Sequence, residues 1–205
     1  MTRLYSIEHE EFEHVVVLLE HLRLNWLLHH FPPRVVHALY VLINGFITVA
    51  ILALLAFATS NPFVFPSVGP TAYLFFFTPM AKAASPRNAI LGHAIGLICG
   101  YAALTITGAW PSPVSKHPGI YWPMILAAAL SLSATGAIMI LLRVSHPPAG
   151  ATTLIVSLGL ISLPRDLVII EAAVVLLTAQ ALVINRLAGL PYPLWSPHKT
   201  ANIAD

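Results

Sequence analysis

The chain has 205 residues, 58% of them hydrophobic and 9% charged, with a mean hydropathy of +0.81. Soluble domains carry about 25% charged and about 45–50% apolar residues, so a soluble globular fold is excluded. A net charge of +2 supplies no basic surface for nucleic acid, and the single cysteine, Cys99, excludes an internal disulfide.

The acids Glu8, Glu10, Glu11, Glu13 and Glu20 precede residue 21, whereas from Val35 to Ala188 the only acids are Asp166 and Glu171. That body reads as an all-α integral membrane domain. Residues 1–34 form a first unit. Within residues 4–30, Phe12, Val15, Val16, Leu19, Leu22, Trp26 and Leu27 recur at helical spacing opposite acids and histidines. The pattern predicts an amphipathic helix at the membrane surface, ended by Phe31-Pro32-Pro33. No early apolar core with a small-residue cleavage site is present, so no signal peptide is expected.

The transmembrane unit spans residues 35–188. Its first helix is predicted from Val36 to Ala58. Asn61-Pro62 then breaks the chain, and the apolar run from Phe63 to Phe77 is interrupted by Pro66-Ser67-Val68-Gly69-Pro70-Thr71. A short helix is expected to restart at Pro70 and reach Met80, followed by a loop to Ser85. Ser85 and Pro86 have the residue types of a helix cap and first helical position, and the third helix runs to about Ala109. Its Gly92, Gly96 and Gly100 lie four apart on one face, which suits close helix approach within a protomer or in a homo-oligomer; the latter is favoured here. Pro111, Pro113 and Pro118 mark an interfacial loop, and the fourth helix is predicted from Tyr121 to Leu142. Ser145-His146-Pro147-Pro148 stops the chain again, and Pro148 is suited to open a new helix over Ala149-Gly150-Ala151-Thr152-Thr153 and the aliphatic residues beyond. Leu163-Pro164-Arg165-Asp166 starts the last span, to about Arg186, and residues 189–205 form a short tail.

The two halves, 35–109 and 120–188, repeat one pattern: a full helix, a Pro/Gly break, a short helix with Thr near its start, then Pro-Arg-Asn or Pro-Arg-Asp opening another full helix. Paired interrupted segments of this kind point to a transporter site. If both broken segments cross, six spans place Arg3, Arg23, Arg34, Lys82, Arg87, Arg143, Arg186 and Lys199 on one side and only Lys116 and Arg165 on the other. Positive residues favour the cytoplasm, so six spans with both termini cytoplasmic, in a plasma or inner membrane, are preferred to four. Three spans per half makes the repeats inverted. The two short helices then start deep in the membrane from opposite sides, with unpaired N–H groups converging, as befits an anion site.

The residues expected to bind are Ser67, Gly69, Thr71, His146, Gly150, Thr152 and Thr153: hydroxyls to donate, glycines to admit a ligand to the backbone, and an imidazole to contact the anion or carry a proton. His93, Arg87 and Arg165 are candidates for gating or proton linkage. Glu171 is expected to pair with Arg165 or a neighbour. The histidines at 9, 14, 21, 29 and 30 lack the spacing of a metal helix, and Ser145-His146 lacks an acid to orient it. Neither metal, cofactor nor catalysis is therefore expected.

His146-Pro147-Pro148-Ala149-Gly150-Ala151 resembles the signature of the HPP family of integral membrane proteins. Ser67-Val68-Gly69-Pro70-Thr71-Ala72 is similar to that family's Ser-Phe-Gly-Ala-Ser-Ala stretch, and Pro86-Arg87-Asn88 with Gly92-His93 to its Pro-Arg-Asn, Gly-Gly-His segment. The likeness covers about residues 35–188. The chain departs from the pattern at Pro70 and Thr71, where the family more often has Ala and Ser. It also has Thr152-Thr153 where many relatives have Asn-Pro. The family is usually described with four membrane helices, and its plastid and cyanobacterial members are associated with nitrite transport. The resemblance thus implies transport of a small anion, nitrite first, in line with the converging helix starts. An anion channel or a carrier of another small solute is the alternative.

Overall fold

The computed structural model describes residues 23–110 and 121–197. The described residues are helical, with no strand among them. Helix α1 covers Leu24–His30, α2 Pro33–Thr59, α3 Val68–Phe77, α4 Pro86–Thr107, α5 Trp122–Leu141, α6 Ala149–Ser157 and α7 Pro164–Leu187. Of the expected N-terminal amphipathic helix, residues 4–22 lie outside the described residues.

Each boundary has a local cause. Pro33, Pro86, Pro123 and Pro164 stand in first turns, where a missing N–H removes no helical bond. Ser85 caps α4, its Oγ accepting from the Asn88 N–H, while Gly108 ends that helix in the left-handed conformation at φ 67°. The first broken segment differs from expectation: α3 starts at Val68, not Pro70, and ends at Phe77, not Met80. Pro70 falls within its first turn, so it constrains the start without marking it. Ser60 and Arg143, each at the end of a long helix ahead of a break, both adopt φ 53°. The two breaks thus begin with the same left-handed step.

Four helices (α2, α4, α5 and α7) are long and apolar enough to cross a membrane. Their exposed side chains, such as Phe46, Phe57, Ile140 and Leu141, are those of a lipid-facing surface. Helix α4 is the centre: 56% of its apolar window is buried, against 11% for α2. It packs on α5, α6 and α7, and a core of Leu52, Phe75, Leu97, Val156, Ile170 and Leu177 joins α2, α3, α4, α6 and α7.

Hydrogen bonds between helix ends fix the direction of each element. At one end, Arg87 in the first turn of α4 donates to the carbonyls of Leu142 and Arg143 after α5. There too, the Leu24 N–H bonds Ala188 O after α7, and Asn185 near the end of α7 takes a bond from Tyr40 Oη and donates to Phe75 O. At the opposite end, Arg165 in α7 donates to Asn61 beyond α2. Helices α2 and α4 therefore both leave the first end, so the chain between them, through α3, returns to it. Helices α5 and α7 both arrive at the first end, so the chain between them, through α6, leaves it. The two broken segments with their short helices thus carry the chain between the two ends of the bundle.

The tail after α7 folds back over the first end. Tyr192 is fully buried, its hydroxyl donates to Ala84 O, and burial pushes its phenol above the usual range. The Arg87 N–H donates to Trp195 O. Residues 189–197 of the tail therefore close over this end of the helix bundle.

Candidate functional site: a buried histidine–threonine cluster

The two short helices begin against each other. Ser67, the cap residue of α3, and Thr152, in the first turn of α6, have hydroxyl oxygens 2.6 Å apart. This contact needs close backbone approach, and the glycine face of α4 provides it. A Cβ on Gly92 would stand 2.7 Å from His146 Cβ. One on Gly96 would stand 2.8 Å from the Ala149 carbonyl oxygen, and one on Gly100 2.7 Å from that of Thr153. The Gly92/Gly96/Gly100 face is thus occupied inside the protomer by the second break and α6. The favoured reading of that face as an oligomer contact is corrected: it has no free surface to offer a second copy.

His93 stands seven residues into α4, about 10 Å along it at 1.5 Å per residue, and is the hub of the cluster. Its Nδ1 is 2.7 Å from Thr152 Oγ1, and its Nε2 is 3.0 Å from Thr71 Oγ1 and 3.2 Å from His146 Nε2. His146 Nε2 is also 3.3 Å from Thr71 Oγ1, and its Nδ1 is 2.7 Å from Ala83 O. Ser67, Thr71, His93, His146, Thr152 and Thr153 are all completely buried, with Phe65 set edge-on to His93 and Phe75 beside His146.

With both rings neutral, the following proton arrangement satisfies the network. A carbonyl only accepts, so His146 carries its proton on Nδ1 and leaves Nε2 bare. In it the Thr71 hydroxyl donates to Ser67 O at 2.8 Å, and His93 Nε2 supplies the proton facing His146 Nε2. His93 Nδ1 is then an acceptor, filled by Thr152, whose oxygen in turn accepts from Ser67. The chain runs Ser67 to Thr152 to His93 to His146, one proton per bond. An added proton has no vacant acceptor in it, so its arrival forces the bonds to rearrange.

Several expected features stand elsewhere. Thr153 turns toward α5, with its hydroxyl 3.1 Å from that of Thr135, which itself donates to Ser131 O. Gly69 is exposed with open space over its Cα, and Gly150 faces Leu132 on α5, so neither abuts the histidines. Arg87 is half-buried at the first end and Arg165 lies exposed at the other, paired with Asp166 at 3.8 Å. The N–H groups of Ala149, Gly150 and Ala151, expected to be free at a restarted helix, are not free. They bond the carbonyls of His146, Pro147 and Pro148 within the break. The donors that remain to a ligand are side chains. Nor does Glu171 pair with Arg165: both its carboxylate oxygens are buried without a hydrogen-bond partner. Thr135 and Ser131 were not anticipated, because a hydroxyl within an apolar helix has the same sequence signature whether it bonds its own backbone or a neighbour.

The family model described as HPP, transmembrane region, matches residues 30–193. A curated transmembrane protein of Dictyostelium discoideum is 32% identical over 120 residues, which is 55% of this chain and 34% of that protein. The chain thus matches about a third of that relative's length. No solved structure matches.

Proposed function

This chain belongs to the HPP transmembrane family, and from that premise we propose that it carries a small inorganic anion, nitrite first, across a membrane. The observation that supports this reading is the meeting of two interrupted segments, from opposite ends of the bundle, at a buried cluster of hydroxyls and imidazoles. Broken helices of transporters place their substrate sites at such a junction, and irregular backbone at membrane depth is tolerated where it is enclosed by protein. The anion takes the donors that now serve the cluster itself: the hydroxyls of Ser67, Thr71 and Thr152, and the Nε2–H of His93. The occluded cluster is one state of an alternating cycle in which one three-helix half, 35–109, rocks against the inverted other, 120–188.

Histidine supplies the counter-charge. An isolated anion entering an apolar interior carries a large desolvation cost, which a proton arriving on the His93–His146 pair offsets. The anion and proton then enter as a neutral pair. The end bearing Arg23, Arg34, Lys82, Arg87, Arg143 and Arg186 faces the cytoplasm, because Arg165 is the one basic residue described at the other end.

The test is nitrite uptake by proteoliposomes under an inward proton gradient, against protein-free vesicles. Wild-type protein is expected to give saturable uptake that the gradient accelerates. Thr152→Val, which keeps the shape and removes a donor, is expected to lower it about tenfold, in proportion to a lost charge-assisted bond. His93→Gln is expected to abolish the response to the gradient. Gradient-independent uptake would remove proton coupling, and absence of any uptake by folded wild-type protein would remove nitrite.

A further inference from the structure

The cluster lies close to one end of the bundle. His93 stands about 10 Å from the start of α4 and about 21 Å from its last residue, Thr107. On the near side the cluster meets one turn of 3-10 helix, Lys82–Ala84. The three carbonyls of this turn are bonded in three directions. Lys82 O accepts from Asn88 Nδ2 in α4 at 2.9 Å, Ala83 O from His146 Nδ1 at 2.7 Å, and Ala84 O from the Tyr192 hydroxyl. Neighbouring peptide groups thus join the buried imidazoles to the tail. Ala83 keeps part of its surface exposed, whereas His146 is completely buried. The bond between them leads from the surface layer to the site.

The tail is held by such bonds and not by helix. Gly189, at φ 82°, follows the end of α7, and Pro191 and Pro193 lack the N–H and the room that a continuing helix needs. Arg186 Nε holds Tyr192 O at 2.9 Å, and the Arg87 N–H holds Trp195 O at 3.0 Å. Between these anchors the Tyr192 side chain turns inward and keeps no exposed surface. A three-residue 3-10 turn has poorer hydrogen-bond geometry of its own than an α-helix. Its position therefore depends on what its carbonyls bind.

We propose that the Lys82–Ala84 turn is the gate between the cluster and the first end of the bundle, and that the tail latches it shut through Tyr192. The gate deepens the transport reading and rests on it for its purpose. Moving the turn outward parts Ala83 O from His146 Nδ1 and opens that edge of the imidazole to water and solute. The Tyr192 bond to Ala84 O opposes this movement, so the tail sets how often the site opens to this side.

The experiment measures access in the full chain carrying Cys99→Ala, with Thr71→Cys in the cluster or exposed Ser145→Cys as the control. Inside-out vesicles, which display the first end, are treated with a small, anionic, impermeant methanethiosulfonate. Tyr192→Phe is expected to speed the reaction at position 71 about fivefold, the population shift worth one net hydrogen bond. Arg186→Ala, at an exposed residue that leaves the turn untouched, is expected to act in the same direction. The rate at position 145, and the rate at position 71 in right-side-out vesicles, are expected to stay as they were. An unchanged rate at position 71 in Tyr192→Phe overturns the proposal; should that variant fail to fold, Arg186→Ala decides in its place. An equal rise at position 145 or from the other side would report general loosening and overturn it too. Nitrite uptake takes no part in this readout, so loss of nitrite as the solute and loss of the gate are separate results.

Discussion

Four of the residues singled out from sequence carry hydroxyls, yet His93, a candidate only for gating or proton linkage, makes three bonds in the cluster, as many as Thr71 or His146. The reason is geometric. His93 follows Gly92 on α4, and the missing Cβ at Gly92 is what lets His146 come within ring contact of it, centroids 4.9 Å apart. Sequence spacing reveals the glycine face but not which segment fills it. Glu171 is the converse case. It was legible as a rare acid in an apolar span, but the structure gives its carboxylate no hydrogen-bond partner. An unpaired polar group removed from water costs about 1–3 kcal/mol in measured substitutions. Glu171→Leu is therefore expected to raise the thermal unfolding midpoint in detergent while leaving anion uptake intact. A lowered midpoint would mean that the carboxyl has a partner in the membrane, and lost uptake would make it a functional acid.

The long helices were readable because proline starts, glycine stops and unbroken apolar runs are local signals. The ends of α2, α4, α5 and α7 fall within a few residues of the expected positions. The short helices were less so. Val68–Phe77 and Ala149–Ser157 owe their existence to tertiary partners, since isolated helices of this length are marginal. Their stability rests on the face of α4 where Gly96 lets the Ala149 carbonyl approach. Adding one methyl group there puts carbon 2.8 Å from that oxygen, and the neighbouring atom is backbone that cannot swing aside. Overpacking of this kind costs about 1–3 kcal/mol. Gly96→Ala is thus expected to lower the unfolding midpoint and to impair uptake together. Gly45→Ala, where no atom lies within 4 Å, is expected to change neither. Equal tolerance of both substitutions would mean that α6 does not pack as closely as described.

At the scale of the whole molecule, apolar length alone counts four crossings, whereas the hydrogen bonds between helix ends also lead the chain from end to end of the bundle through the broken segments. The difference lies entirely in the two broken segments, each an extended strand of chain leading into a half-length helix. Neither is long enough as a helix to register as a span, yet Arg87 and Arg165 pin helix ends to opposite faces of the bundle. In the sequence, six crossings give Lys and Arg an eight-to-two split, against six to four if the breaks dip in and return. The point is open to a direct chemical check in the membrane. Ser145 and Leu163 flank the second broken segment, and both are exposed. With Cys99 replaced by Ala, single cysteines at these two positions are expected to react with an impermeant maleimide from opposite sides of oriented vesicles, position 163 from outside and position 145 from inside. A segment that dips in and returns would place both on one side. Labelling of both from the same face would therefore dismantle the six-crossing topology and, with it, the approach of two helix starts from opposite sides on which the transport reading depends.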